Sequence, residues 1–189
     1  NPTYQWIVDP LDGTTNFAHR INHYAISIAF AVHFEVVAGI VYHPGADELF
    51  TAVRGKGATL NGKGIWVSTV SDLCDSLLVT GFPYDFKGIL NDVMTRFSNC
   101  LRAAQGIRRF GSAALDLCYV ACGRFDGFWE QNLNPWDTAA GYLIAAESGA
   151  VVTDFANHPY DITDKEILAT NGQIHQQLVS LLQIRDEHE

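Results

Sequence analysis

Basic residues are scarce in this chain. Twelve Lys and Arg stand against 21 Asp and Glu, giving a formal net charge of −9. A nucleic-acid binder neutralises phosphates with a basic surface, so this balance counts against such a partner. Cysteine is also sparse: Cys74, Cys100, Cys118 and Cys122 form no C-x-x-C pair. Cys118 and Cys122 stand four apart in the apolar run LDLCYVAC and would share one helix face. No neighbouring His or Cys completes a zinc set, so small buried thiols in a reducing cytoplasm are expected. Long apolar runs are missing as well. AISIAFAVHFEVVAGIVYH is broken by His33 and Glu35, short of the roughly 18 apolar residues a membrane span needs, so no membrane partner is expected. Repeats, low-complexity tracts and linkers are absent too. With 48% hydrophobic residues in 189, the chain can bury a real core, and a single domain over 1–189 is the expectation.

The apolar residues follow two rhythms. QWIVDP reads as a short buried strand, followed by a helical turn in TTNFAHR. YAISIAFAVH and EVVAGIVYHP read as a hairpin closed near Phe34, with ELFTAVRG as a further strand. In GKGATLNGKGI, Asn61-Gly62 favours a hairpin turn. SLLVTGF, FDGFWE, VVTDF and EILATN are strand-like. Spacing at Leu90, Val93, Met94, Phe97 and Leu101 predicts a helix over LNDVMTRFSNCLRAAQ. SAALDLCYVACG predicts a second, capped by Ser112 and ended by Gly123. PWDTAAGYLIAAESGA predicts a third and GQIHQQLVSLLQIRDEHE a terminal one. Hairpins mixed with helical crossovers suggest layered sheets and helices.

Two acidic features stand out. In WIVDPLDGTTNF, residues 6–17, Asp9 and Asp12 sit where a strand ends and a turn begins. Pro10 restricts Asp9 to extended geometry, and Gly13 frees the backbone after Asp12. Two carboxylates held together repel unless a cation lies between them, and hard oxygen ligands suit Mg²⁺. The Leu11 carbonyl is placed to join them. Gly13, Thr14 and their neighbours then offer N–H groups and hydroxyls at a helix start, a natural phosphate cradle. The plainer alternative is an Asx-turn with Thr14 or Asn16 capping a helix. In WDTAAG, Asp137 is a good N-cap, and a carboxylate at a helix start can also ligate a metal.

The two stretches together resemble a known family. WIVDPLDGTTNFAHR resembles the first motif of the inositol monophosphatases, the lithium-sensitive, Mg²⁺-dependent phosphatases. PWDTAAGYLIAAESGAVVTD resembles the second, and RRFGSAALDLCYVACGRFDGFWE the run between them. The motifs fall near residues 6–20 and 135–154, and the likeness covers essentially the whole chain.

The resemblance implies an α/β (α+β layered) fold, with helix layers alternating with sheet layers as in inositol monophosphatases and fructose bisphosphatases. It implies Asp9, Asp12, Asp137 and the Leu11 carbonyl as metal ligands, with Asp9 bridging two ions. It implies Gly13 and Thr14 as phosphate contacts, the Thr14 hydroxyl orienting the attacking water. Glu130 would contact substrate hydroxyls, and Ser112 and Ala113 would line the substrate pocket. The cofactor would be Mg²⁺, the substrate a small phosphate ester, first of all inositol 1-phosphate, and the assembly a homodimer. His19 reads as a surface or packing residue.

Two departures bear on these expectations. The family's Gly-Glu-Glu motif and N-terminal helices, which precede the first aspartate motif, have no counterpart here. The chain opens at Asn1 and enters a strand almost at once, so an N-terminally truncated domain is expected, weak or inactive on its own. Glu147-Ser148-Gly149-Ala150 differs mildly from the usual E-A-G-G, a packing difference. Other substrates stay open: histidinol phosphate, sugar phosphates or nucleotide phosphates. So does a catalytically incompetent homologue with an interaction role.

Overall fold

Alternation of inward small or apolar residues with outward ones builds the first sheet. The computed structural model describes residues 3–83, 85 and 87–184. Strands β1 (Tyr4–Asp12), β2 (Ala25–Val32), β3 (Glu35–His43), β4 (Glu48–Val53), β5 (Ala58–Leu60) and β6 (Lys63–Gly64) pair in that order, each antiparallel to the next. The β2–β3 hairpin closes through His33 and Phe34 at φ 50° and 68°, and β5–β6 through Asn61 and Gly62 at 48° and 75°. Positive φ at both central positions gives a turn whose twist matches the strands.

A second sheet is made from β7 (Leu77–Thr80), β8 (Gly106–Arg108), β9 (Gly127–Gln131), β10 (Val151–Thr153) and β11 (Glu166–Thr170), in the order β10-β11-β9-β7-β8. Its β7 runs parallel to β8 and β9, while β9, β10 and β11 pair antiparallel. The helices are α1 (Thr14–Ala18), α2 (Leu90–Ala103), α3 (Ala113–Ala121), α4 (Pro135–Glu147) and α5 (His175–Leu182). Helices α3 and α4 fill the space between the sheets, sharing one core with Ile7, Val41, Phe50, Val79 and Phe128. Helices α2 and α5 cover the far face of the second sheet, in a second core around Leu78, Trp129, Leu168 and Leu178. Sheet and helix layers alternate as expected.

Small residues set the layer spacing. A Cβ on Gly39 of β3 would lie 2.9 Å from the Ala140 carbonyl oxygen, and one on Gly141 would lie 2.9 Å from Leu117 Cβ. Helix α4 therefore lies backbone-close to the first sheet and to α3. This draws the α4 start toward the end of β1, where Ser27 Oγ donates to the Trp136 carbonyl at 3.5 Å.

Several expectations are corrected. β1 is not a buried strand but a sheet edge: Tyr4, Trp6 and Val8 are exposed and only Ile7 and Asp12 are buried. Tyr4 and Trp6 lie against Phe30 on the outward face, which continues through Ile26 and Ile40 as an exposed apolar surface. Helix α2 buries Val93 and Cys100, with Phe97 packed beside them, while Leu90, Met94 and Leu101 face out. Ser112 occupies the N-cap position of α3 without capping it. The N-cap position of α4 is Asn134, because Pro135 takes the first helical position, so Asp137 lies within the first turn. Strand β8 was not anticipated. The terminal helix runs over His175–Leu182, and the part expected beyond residue 184 lies outside the described residues. Cys118 is buried and Cys122 half-buried as small thiols, but Cys74 is exposed.

Candidate active site

Residues three apart on a regular strand point to opposite faces. Asp9 and Asp12 escape this through a bulge. Asp9 is registered with Ser27 and Asp12 with Ala25, so three steps along β1 oppose two along β2. Pro10, with no N–H to donate, sits inside that irregularity, where a strand tolerates it. The Leu11 N–H turns back to Asp9 Oδ1 at 2.9 Å, and the Thr14 hydroxyl donates to the Leu11 carbonyl at 3.0 Å. Gly13 follows at φ 86°, and a Cβ there would lie 3.1 Å from the His23 carbonyl oxygen. Glycine is required both for the conformation and for the space. Helix α1 starts at once, its first N–H groups without intrahelical acceptors.

The motif is tied to the rest of the chain by Asn16, whose side-chain amide donates to the carbonyls of His23 (2.8 Å) and Phe110 (2.7 Å). The second link is Asp12. Its Oδ2 accepts from the Ser112 hydroxyl at 2.6 Å and from the Ala114 N–H at 2.9 Å, so the start of α3 faces a carboxylate, favourable on dipole grounds. Asp137 approaches from α4, its Oδ2 accepting from the Asn134 N–H at 2.7 Å and the Asn134 amide at 3.3 Å.

These restraints bring Asp9, Asp12 and Asp137 together, one carboxylate oxygen from each within 4.8 Å of the others. Burial pushes the Asp12 carboxyl up to about 7, with the charges of Asp9 and Asp137 adding, while Ser112 and Ala114 pull it back. Burial also raises Asp137, with Asp9 adding. A cluster costly to ionise by itself, built of hard oxygen donors, is what a divalent cation fits.

The cluster floors a cleft of about 290 Å³ that Gly13, Thr14, Ala113 and Glu130 also line. Leu11 lines it beside the aspartates. Glu130 is buried on β9, and burial, with the Asp12 charge adding, raises its carboxyl to about 8. Ser112 is buried, and its hydroxyl is spent on Asp12. His19 is exposed.

Three residues had no assigned place. Arg109 lines the cleft, its guanidinium carbon 5.8 Å from the Phe82 ring centroid, and its charge opposes the upward shift of Glu130. Gly81 lies under Glu130. Asp116 on α3 is fully buried with both oxygens unpartnered, and burial holds its carboxyl well above the usual range. The sequence signals were slight: a second Arg before GSAAL, and one acid in the apolar run LDLCYVAC.

A sequence model described as the inositol monophosphatase family matches residues 1–187. The chain belongs to that family. It is 48% identical over 182 residues to an inositol-1-monophosphatase of Synechocystis sp., covering 96% of this chain and 63% of the relative. The chain thus spans less than two thirds of that relative's length. It is 45% identical over 184 residues to a protein named Nus factor SuhB of Escherichia coli, covering 97% and 68%. Among solved structures, the inositol monophosphatase of Anabaena (Nostoc) sp. superposes with a TM-score of 0.92 at 45% identity, over 96% of this chain and 72% of that one. Relatives this close share the layered α/β fold. No helix among the described residues is long and apolar enough to cross a membrane.

Proposed function

We propose that the protein is a Mg²⁺-dependent phosphoric monoester hydrolase whose substrate is a small polyol phosphate, first of all inositol 1-phosphate. The convergence of Asp9, Asp12 and Asp137 at the foot of one cleft carries this reading. These carboxylates, with the Leu11 carbonyl, would hold Mg²⁺. When bound, the ion supplies positive charge against the phosphate and makes water a better nucleophile near neutral pH.

The chain's own residues do the rest by placement. Gly13 and Thr14 turn N–H groups toward the phosphate oxygens. The Thr14 hydroxyl, anchored on the Leu11 carbonyl, accepts a hydrogen bond from the attacking water and so aims it. Ser112 and Ala114 favour the ionised form of Asp12 and fix its orientation. Ala113 leaves the wall smooth, and Glu130 reads hydroxyls on the leaving group. The serine at the site, Ser112, is buried and its hydroxyl is tied to Asp12, a carboxylate assigned to the metal, which favours direct attack by water. Inhibition by Li⁺, a cytoplasmic location and a homodimeric assembly belong to the same proposal.

Phosphate release from inositol 1-phosphate, followed against Mg²⁺ and Li⁺ in the protein at its natural length, tests it. Turnover should vanish in excess chelator and in Asp137→Asn. Activity that survives either would sink the assignment. The relatives named Nus factor SuhB favour a second reading, an interaction role beside or instead of catalysis. A protein without phosphatase activity on inositol, sugar and nucleotide phosphates would point there.

A further inference from the structure

Strands β7 and β9 run parallel with Leu78 opposite Gly127, Val79 opposite Phe128 and Thr80 opposite Trp129. One step further along each strand brings Gly81 beside Glu130. The Thr80 hydroxyl donates to the Trp129 carbonyl at 2.7 Å, which holds the two strand ends together beyond the last registered pair. The backbone at Gly81 is not in the left-handed region, so conformation does not call for glycine there. Space does. A Cβ at position 81 would fall on Oε1, Cδ and Oε2 of Glu130, well under the 3.0 Å that real Cβ atoms keep. The obstruction is the far end of a flexible side chain and not backbone. An added methyl would therefore displace the carboxyl and leave the strands in place. The displaced group is buried in the cleft that Phe82 and Arg109 also line, and it loses its seat beside the end of β7.

We propose that Gly81 is a positioning residue, whose missing side chain seats the Glu130 carboxyl against the end of β7 and so tunes the cleft to phosphate esters bearing a hydroxyl beside the ester oxygen. This rests on the reading of Glu130 as the contact for substrate hydroxyls. An ester lacking hydroxyls gains nothing from that seat.

Steady-state kinetics with Mg²⁺ on the wild type, Gly81→Ala, Glu130→Ala and the double variant test it, with inositol 1-phosphate and phenyl phosphate as substrates. In Gly81→Ala, KM for inositol 1-phosphate should rise about tenfold, the scale of one lost hydrogen bond. The change for phenyl phosphate should be smaller. The losses from Gly81→Ala and Glu130→Ala should not add, because a displaced carboxyl and a deleted one remove the same contact. Additive losses overturn the proposal, as does a Gly81→Ala enzyme with wild-type KM for inositol 1-phosphate. If Gly81→Ala fails to fold, the double variant decides. Its recovery of a folded state supports the proposal, since deleting the carboxyl makes room, and its failure to fold overturns it. Wild-type kinetics in Glu130→Ala alone would remove the reading of Glu130 itself and the role of Gly81 with it, an outcome the single variant already displays.

Discussion

Ser112 Oγ donates to Asp12 Oδ2 at 2.6 Å across 100 positions of sequence. The bond favours the ionised carboxylate and lowers its pKa against the strong upward push of burial. In Ser112→Ala the proton competes better with the cation. Mg²⁺ affinity near pH 7 should fall about tenfold, the usual scale for losing a partner that orients a metal ligand. Calorimetric titration of the metal measures it, and the deficit should shrink toward pH 9, where the proton no longer competes. An unchanged affinity at pH 7 would contradict the role of the serine.

The same burial predicts how the metal-free protein responds to pH. In the folded state Asp12 titrates near 7 and Glu130 near 8, against ordinary values of 3.8 and 4.5. Between those limits the folded protein holds protons that the unfolded chain has released, so stability falls as pH rises through 7 and 8. Half-buried His23 and buried His43 and His175 act with the opposite sign, but they are lowered from 6.5, so their effect is spent above that pH. Thermal melts in chelator should therefore show Tm declining from pH 6.5 to 8.5, and excess Mg²⁺ should flatten the decline. A Tm that rises across that window without metal would refute it.

The close approach of β3 to α4 gives a third expectation. In Gly39→Ala the new methyl meets the backbone of Ala140, which cannot rotate away as a side chain would. Overpacking of this kind costs about 1–3 kcal/mol, read by chemical denaturation. Because α4 carries Asp137, Mg²⁺ affinity should fall together with stability. A variant as stable as the wild type would show that the layers are looser than drawn.

What the sequence disclosed, and what it hid, divides by the range of the interactions. The turn at Asp9, Asp12 and Gly13 was legible because its chemistry is local, Asp137 was joined to it only by the family resemblance, and the two strand periods marked the hairpins. Leu90, Met94 and Leu101 misled because α2 offers two helical stripes, and only the neighbouring β-layer selects the one through Val93, Phe97 and Cys100. Trp6 and Val8 suggested burial by their composition, whereas lying at a sheet edge is a property of topology. Ser112 looked like a cap because its partner is 100 positions away. Gly81 carried no signal, since its reason is a carboxyl on another strand.

The bulge at Asp9 and Asp12 lies in β1 and Asp137 in the first turn of α4, far apart along the chain. Their meeting requires β1 to be paired, α4 to be laid down on β3, and α3 to be docked against both. A cation offered to the unfolded chain finds scattered carboxylates, and loop-closure entropy stands in the way of gathering them. Contacts completed after the transition state act on the unfolding limb alone. Stopped-flow experiments should find refolding indifferent to Mg²⁺ and unfolding slowed by it, so that the ion acts as a latch on a finished structure and not as a seed for it.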